Sequence, residues 1–365
     1  MKNLLIELQK RNLPDIFFNF ESGKRATTVE EWQKIMRPFW LNLLLKEEYG
    51  KLPPVVEPKI TLKNNVIHFA GKAVWEEVTF HFEYKGKTHS VPTQLIYPKH
   101  KQNIPFVVSL NFNPEFPNKY CPVEEIIDQG LGIFGVCYND ITMDDTDFTN
   151  GLAGLFTEQE RVGDATGKIV YWAYMAERMM DYLLTRSEPN KALIGVAGHS
   201  RLGKTALLAG AMDERFAFVL CNDSGCSGAA LSKGRAPGGE TIRDGYTLFP
   251  AWYCPNYASY MDNHEGLPFD QHCLAALVAP RLLIIGAALE DVWADNDSQF
   301  LTALAASPAW ELYGVNGFIA EDRLPQVGDN FTKGKVGFFL RKGAHFFSRD
   351  DWNIYIKALK EHFNL

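Results

Sequence analysis

A serine lies between an apolar run and an amphipathic run in the segment Ala192–Ala211, ALIGVAGHSRLGKTALLAGA. The first run is typical of a buried strand and the second of a helix, so Ser200 occupies a sharp strand-to-helix turn. Gly198 and Gly203 relieve backbone crowding in such a turn, and the backbone N–H of Arg201 can face an oxyanion. A serine before a helix is usually an N-cap, but the flanking elements favour a nucleophile, although the second glycine comes one residue later than in G-x-S-x-G.

A nucleophilic serine needs a general base, and His345 has the position that such a base takes. It lies in the sequence FFLRKGAHFFSRDDW, between the last predicted strand and the terminal helix. In enzymes with this type of turn the base comes last in the chain, on a loop after the final strand. His199, His264 and His272 are interpreted as structural or substrate-lining residues. No two histidines have i, i+4 spacing, so neither a metal nor another cofactor is predicted.

The acid that orients the base should follow a strand of the same sheet. The sequence ALEDVWAD, after the apolar run RLLIIGA, offers Glu290, Asp291 and Asp295. Asp223 is a further candidate, because it follows the short strand FVLCN. A carboxylate at any of these positions could accept the Nδ1–H of the imidazole and hold its tautomer, although helix N-caps and loop carboxylates are the commoner roles of aspartate.

Apolar runs alternate with helical patterns from residue 105 to the C-terminus, which is typical of a parallel sheet covered on both faces. The predicted fold is one α/β domain, 1–365, with a doubly wound, mostly parallel sheet. Three long segments rich in polar residues, Gly and Pro should lie over the carboxyl ends of the strands, where ligands bind in such sheets. The predicted strands are Pro105–Leu110, Gly132–Tyr138, Ala192–Ala197, Phe218–Leu220, Arg281–Ala287 and Val336–Leu340, and the long segments are 111–122, 140–164 and 224–272.

The N-terminal part has different patterns. Residues 28–48 have apolar side chains at helical spacing, and Pro38 is expected to kink or split the helix. We expect residues 1–58 to form a helical extension that packs on the body. Residues 59–97 alternate as antiparallel strands do, with hairpin turns predicted at Asn64-Asn65 and Lys85-Gly86.

Composition excludes several classes of partner. The 365 residues carry a formal net charge of −7 and contain no long basic run, so no nucleic-acid partner is predicted. The six cysteines form no C-x-x-C pair and are interpreted as mostly free thiols. No leader and no membrane-spanning stretch is recognised, so the chain as written is expected to be cytoplasmic, and secreted if a leader has been removed. We expect a monomer.

Several of these motifs together resemble one known family. GHSRLGKTAL, NDSGCSGAALSK, GGETI, LPFDQH, EDVWAD and the final GAH are similar to motifs of the glucuronoyl esterases, carbohydrate esterase family 15, and especially to its bacterial members. The similarity extends from about Trp32 to the C-terminus and implies an α/β-hydrolase fold. It also implies roles for Ser200 as nucleophile, His345 as base and Arg201 as a group that stabilises the oxyanion. The residues that the resemblance assigns to sugar binding are Lys204, Glu240 and Trp293.

The family places its acid at either of two positions, which correspond here to Asp223 and Asp291. Where the first position is used, the family has Glu, and Asp is one methylene shorter. The resemblance therefore favours Asp291, with Asp223 as the alternative.

The function that the resemblance implies is hydrolysis of esters of (4-O-methyl-)glucuronic acid, such as those that link lignin alcohols to glucuronoxylan. The expected partner is a carbohydrate ester. The alternatives are an esterase that removes acetyl groups from xylan or another carbohydrate, and a catalytically inactive sugar-binding protein.

Overall fold

One large mixed sheet organises the chain. The computed structural model describes residues 2–157 and 160–365, with the side chains of residues 64–66 left out. In this described part, ten strands form the sheet in the order β11-β12-β10-β9-β8-β6-β7-β5-β4-β3, and β1 and β2 form a separate ribbon. The strands are β1 (Phe18–Asn19), β2 (Lys24–Arg25), β3 (Lys59–His68), β4 (Ala73–Tyr84), β5 (Lys87–Pro98), β6 (Ile104–Asn111), β7 (Gly132–Cys137), β8 (Pro189–His199), β9 (Phe218–Asn222), β10 (Leu282–Ala288), β11 (Asn330–Phe331) and β12 (Val336–Arg341).

Helices cover both faces of this sheet. They are α1 (Lys2–Gln9), α2 (Val29–Glu31), α3 (Arg37–Leu44), α4 (Val123–Asp128), α5 (Tyr138–Ile141), α6 (Gly151–Phe156), α7 (Lys168–Thr185), α8 (Arg201–Met212), α9 (Ile242–Leu248), α10 (Gln271–Ala276), α11 (Asn296–Ala306), α12 (Pro308–Leu312) and α13 (Arg349–Phe363). Strands β12, β10, β9, β8, β6 and β7 are parallel neighbours, whereas β3, β4, β5 and β11 pair antiparallel.

The two faces of the sheet have separate apolar cores. In β6, Phe106 and Val108 pack into the core beneath α7 and α8, whereas Val107 points into the core that contains α4 and α13. This alternation follows from the period of two residues in a strand. Because all three side chains are buried, the strand reads as a continuous apolar run in the sequence. The predicted α/β-hydrolase fold class is confirmed.

The N-terminal segment packs on the core beneath α7 and α8. Trp32 and Trp40 are fully buried in that core, and Arg37 Nη2 donates to Ala211 O at the end of α8. The chain stays helical through Pro38, but a π-helical turn at residues 32–36 separates α2 from α3 directly before it, and a second π-helical turn follows α3 at residues 45–49. Arg37 N–H donates to Trp32 O across this π turn, so the α-helical hydrogen-bond pattern is interrupted next to the proline, which has no N–H to donate.

One of the two predicted hairpin turns is wrong. Strand β3 runs through Asn64-Asn65, and its register against β4 shifts between Lys63 and Asn65. A bulge takes up the extra residue, and β3 stays paired with β4 as far as His68. The chain reverses only after that residue. The turn at Lys85-Gly86 is confirmed, because Tyr84 pairs with Lys87 and both central residues have positive φ.

The three long segments reach the carboxyl end of β8, as predicted. Phe112, Asp144 and Glu240, one from each segment, contact side chains of residues 199–204. Residues 158 and 159 of the middle segment lie outside the described residues.

All six cysteines are buried free thiols, as expected for most of them. Among the described helices, none combines the length and the apolar character that crossing a membrane requires.

The turn after β8 leaves no space for a side chain at Gly198. A Cβ at this position would lie 2.0 Å from the carbonyl oxygen of Leu202, which is backbone and cannot swing away. We therefore expect Gly198→Ala to lower the free energy of unfolding by at least ~3 kcal/mol, measured by urea denaturation.

Gly314→Ala is the control for this substitution. Gly314 has positive φ but no neighbouring atom within 4 Å of an added Cβ, so backbone strain alone should cost about 1–2 kcal/mol. Equal losses in the two variants would contradict the steric account of Gly198.

Candidate active site

Ser200 has a strained backbone and a side chain that no helix cap uses. Its φ of 58° and ψ of −128° are unfavourable for a residue with a Cβ, and its side chain makes no capping hydrogen bond to α8. The backbone N–H of Ser200 donates to Asn222 O at 2.9 Å, which ties the turn to the end of β9. Ser200 therefore occupies the N-cap position without capping the helix, and the residue is half-buried at the carboxyl end of β8.

His345 and Asp291 meet beside this turn. The Nδ1 atom of His345 lies 2.5 Å from Oδ2 of Asp291, whose carboxylate is buried, whereas the imidazole is 43% exposed. The two loops are joined through their backbones, because Glu290 N–H donates to Gly343 O at 3.0 Å. A carboxylate at this position holds the proton on Nδ1 and leaves Nε2 free to accept one.

Asp223 lies close to this pair and makes different bonds. Its Oδ1 accepts the Ala288 N–H at 2.8 Å, and its Oδ2 has no hydrogen-bond partner among the described residues. Ligand atoms of Asp223, Asp291 and His345 all lie within 4.8 Å of one another. Burial, reinforced by the carboxylate of Asp291, raises the pKa of Asp223 well above its usual range. The structure thus pairs the imidazole with Asp291 and holds Asp223 nearby.

Arg341 supports the loop that carries His345. Its Nε donates to both carboxylate oxygens of Asp351 at 2.7 Å, and its Nη2 donates to Ala344 O at 3.2 Å and to Phe346 O. Those two carbonyls flank His345, so one buried guanidinium holds the backbone on both sides of the imidazole. Sequence reasoning missed this residue, and an arginine in the apolar strand VGFFLR was the available signal.

His199 is a buried neutral neighbour of His345. The two ring centroids are 4.4 Å apart, and His199 Nδ1 lies 2.6 Å from Asn222 Oδ1. Since the amide nitrogen of Asn222 donates to Asp351, its oxygen faces His199 and must accept the Nδ1–H. Burial, together with the neighbouring His345, lowers the pKa of His199 to about 3. The sequence left a structural or a substrate-lining role open for His199, and its burial favours the structural role.

The other two histidines lie away from this cluster. His272 is buried, and its Nε2 lies 2.9 Å from Pro14 O, so it joins α10 to the N-terminal segment. His264 is a partly exposed residue whose Nε2 lies 3.5 Å from its neighbour Glu265. The sequence grouped them as structural or substrate-lining, and the burial of His272 favours the structural role for that residue.

Arg201 lies at the start of α8 with its guanidinium against an aromatic pair. The carbon Cζ is 4.8 Å from the ring centroid of Trp252 and 5.3 Å from that of Phe249, and these two rings are stacked 4.0 Å apart. Arg201 Nη1 donates to Asp144 Oδ2, and Trp252 Nε1 donates to Asp144 Oδ1 at 2.6 Å. Sequence reasoning missed Asp144 and Trp252, although both belong to segments predicted to lie over the site.

Lys204 and Glu240, both assigned by resemblance to sugar binding, form a buried ion pair. Lys204 Nζ lies 3.0 Å from Glu240 Oε2 and also donates to Ser224 O at 2.7 Å and to Cys226 O. An ammonium has three N–H donors, so a sugar hydroxyl that binds Lys204 must share or displace one of these acceptors. Trp293 is 45% exposed, and its carbonyl accepts the Glu240 N–H at 2.7 Å. The structure therefore places Lys204, Glu240 and Trp293 next to one another.

Comparison with known proteins adds independent information. Residues 80–314 match the family model for glucuronyl esterases of fungi. A carbohydrate esterase, MZ0003, from an unknown prokaryotic organism is 31% identical over 396 residues, which cover 98% of this chain and 90% of the relative. A 4-O-methyl-glucuronoyl methylesterase of Schizophyllum commune is 29% identical over 83% of this chain and 74% of the relative.

Solved structures extend this similarity to the fold. A glucuronoyl esterase from Solibacter usitatus superposes with a TM-score of 0.87 at 31% identity, covering 96% of this chain and 97% of that one. A promiscuous esterase of carbohydrate esterase family 15 from a marine bacterial metagenome has a TM-score of 0.86 at 30% identity, with 97% of each chain covered.

The buried His199 predicts how stability depends on pH. An unfolded histidine binds a proton near pH 6.5, whereas folded His199 resists protonation down to about pH 3. Between these values the unfolded chain holds the extra proton, so the free energy of unfolding falls as the pH decreases, by up to ~1.4 kcal/mol per pH unit. We expect His199→Gln, which keeps a donor for Asn222, to remove this contribution.

The measurement is urea denaturation of both proteins from pH 7.5 to pH 4.5. Other titrating groups are present in both proteins, so the difference between the two stability curves isolates His199. Parallel curves would show that His199 does not titrate differently in the folded and unfolded chains.

Proposed function

The chain belongs to the glucuronoyl esterase family, and from this premise we propose that Ser200, His345 and Asp291 form a catalytic triad that hydrolyses glucuronate esters. The observation that supports this most strongly is the close pairing of His345 with Asp291, with the imidazole against His199, the residue directly before Ser200. The three residues follow β8, β10 and β12 in the order nucleophile, acid, base. The protein is a carboxylic ester hydrolase, and its proposed active groups lie directly after three strands of one sheet.

In the proposed mechanism, Ser200 Oγ attacks the ester carbonyl while His345 Nε2 removes its proton. Asp291 holds the imidazole tautomer and stabilises the imidazolium. The oxyanion accepts hydrogen bonds from the guanidinium and from the backbone N–H of Arg201. This N–H has no acceptor inside α8, because Arg201 is the first residue of the helix. His345 then protonates the departing alcohol, and water hydrolyses the acyl-enzyme by the same steps in reverse order.

The proposed substrate is an ester in which glucuronic acid supplies the carbonyl. Relatives of this chain are 4-O-methyl-glucuronoyl methylesterases, which supports an acyl group of this kind. Lys204, Glu240 and Trp293 lie together near the turn that carries Ser200, where they would contact the sugar ring. In an acetyl esterase the carbonyl belongs to the acetyl group, and these residues would have no uronate to position.

Removing the nucleophile tests the triad. We expect Ser200→Ala to lower kcat for methyl and benzyl glucuronate by ~10⁴ to 10⁶, because losing one member disables the whole triad. An active-site phosphonate should label the parent protein and leave this variant unlabelled. Acetylated xylan, assayed in parallel, tests the alternative substrate class. Activity of Ser200→Ala within tenfold of the parent would contradict the triad.

The two neighbouring carboxylates give a second prediction. We expect Asp291→Asn to lower kcat by ~10² to 10⁴, because an amide can donate to the imidazole and favour the wrong tautomer. Asp223→Asn should cost much less, since an amide resembles the neutral carboxyl that the raised pKa of Asp223 favours. Steady-state kinetics of both variants decide between them, and the opposite ranking would assign the acid to Asp223.

A further inference from the structure

The two cationic side chains in the first turns of α8, directly after Ser200, are each paired with a carboxylate. Arg201 pairs with Asp144, and Lys204 pairs with Glu240. The side chains of Lys204 and Glu240 are almost fully buried, and that of Asp144 is only 12% exposed. The four groups together carry no formal net charge, although two cations at the site of an esterase could have been left free to attract anions.

Asp144 makes a second bond that fixes the geometry of its pair. One carboxylate oxygen accepts from Arg201, and the other accepts from Trp252 Nε1 at 2.6 Å. Because the Trp252 ring also lies against the guanidinium, Asp144 locks Arg201 onto the aromatic face. Arg201 Nε is buried and has no hydrogen-bond partner among the described residues, so the guanidinium keeps a donor that the protein does not use.

The loop that carries Asp144 is itself anchored from below. The buried ammonium of Lys168 donates to Met143 O at 2.6 Å, to Asp145 Oδ1 at 2.5 Å and to Asp147 O at 2.8 Å. These acceptors lie on both sides of Asp144 in the sequence. The carboxylate is therefore held in place by its own backbone as well as by its two hydrogen bonds.

Ester hydrolysis changes the charge of the ligand at this site. Water adds across the acyl C–O bond, the alcohol leaves with one hydrogen, and the acid that forms loses its remaining acidic proton to solvent at neutral pH. The neutral ester thus becomes an anion beside Arg201. A free guanidinium binds a carboxylate through two parallel hydrogen bonds, so an unpaired Arg201 would retain the product.

The transition state differs from the product in its charge balance. When the oxyanion forms, the proton of Ser200 has moved to His345, so the negative oxygen and the imidazolium arise together. In the product complex the carboxylate has no such counter-charge. A site whose cations are each paired with a carboxylate can still stabilise the transition state through oriented hydrogen-bond donors. The same site has no net charge with which to attract the anionic product.

We propose that Asp144 is a positioning residue that orients Arg201 toward the oxyanion and also balances its charge, so that the anionic uronate product is released. This inference rests on the proposed function. It assigns to Asp144 both an effect on kcat and a discrimination between neutral ester and anionic acid.

The test compares inhibition by glucuronate and by glucuronamide, which is a neutral molecule of nearly the same shape. In Asp144→Asn we expect the inhibition constant of glucuronate to fall at least tenfold, while that of glucuronamide changes less than threefold. Asp147→Asn is the matched control, because it removes the same charge from the same loop at an exposed residue. A glucuronate constant within twofold of the parent value in Asp144→Asn, or an equal fall in Asp147→Asn, would overturn the proposal.

The variant Trp252→Phe tests the positioning role of Asp144 separately from the effect of its charge. It removes the N–H that binds Asp144 and keeps the ion pair, so kcat should fall about tenfold with the inhibition constant of glucuronate unchanged. Asp144→Glu keeps the charge and should likewise leave that constant near the parent value. Unchanged kcat in Trp252→Phe would overturn the positioning role.

The outcomes also distinguish this inference from the proposed function. Glucuronate binding to Ser200→Ala and to Ser200→Ala/Asp144→Asn is measured by calorimetry, which requires no turnover. Tighter binding to the double variant supports the role of Asp144 in charge balance, and equal binding contradicts it. A parent protein that leaves methyl glucuronate intact would instead refute the proposed function.

Discussion

The buried ion pair of Arg341 and Asp351 fixes the loop that carries His345 to the last strand and the last helix of the fold. Arg341 ends strand β12 and Asp351 lies in the first turn of α13, so the pair joins the last strand to the last helix. The same guanidinium binds the backbone around His345 and lies 3.7 Å from Asp223. Removing one partner of such a pair leaves an uncompensated buried charge, which typically costs ~3–5 kcal/mol. The position of the imidazole therefore depends on an interaction beneath the site.

Burial shifts the pKa values of two groups beside the proposed catalytic pair, His199 and Asp223. Burial lowers the pKa of His199 to about 3, so this ring stays neutral next to His345 and does not compete for the proton of Ser200. Burial and Asp291 raise the pKa of Asp223, which favours a neutral carboxyl and limits the repulsion between two adjacent acids. The imidazole of His345 and the carboxylate of Asp291 are the pair that we propose to take part in proton transfer.

Most of the fold could be predicted from local sequence patterns, and the errors of that prediction have local causes. Continuous apolar runs identified the parallel strands because both faces of those strands are buried. The turn expected at Asn64-Asn65 is absent because pairing with β4 along the whole edge outweighs the local turn preference of two asparagines, and a bulge absorbs the extra residue. Pro38 follows a π-helical turn that interrupts the α-helical run, since proline cannot donate the N–H of a regular α-helix.

The sequence by itself determined the strand-turn-helix around Ser200, the place of His345 after the last strand and the four candidate acids, because these follow from periodicity and chain order. Only the tertiary structure decided that Asp291 bonds the imidazole, whereas Asp223 accepts the Ala288 N–H. It also brought Asp144 to Arg201 and Arg341 to the loop of His345. Such contacts join residues far apart in the chain, and the distance between their side chains depends on how neighbouring strands and loops align. No local sequence pattern encodes that alignment.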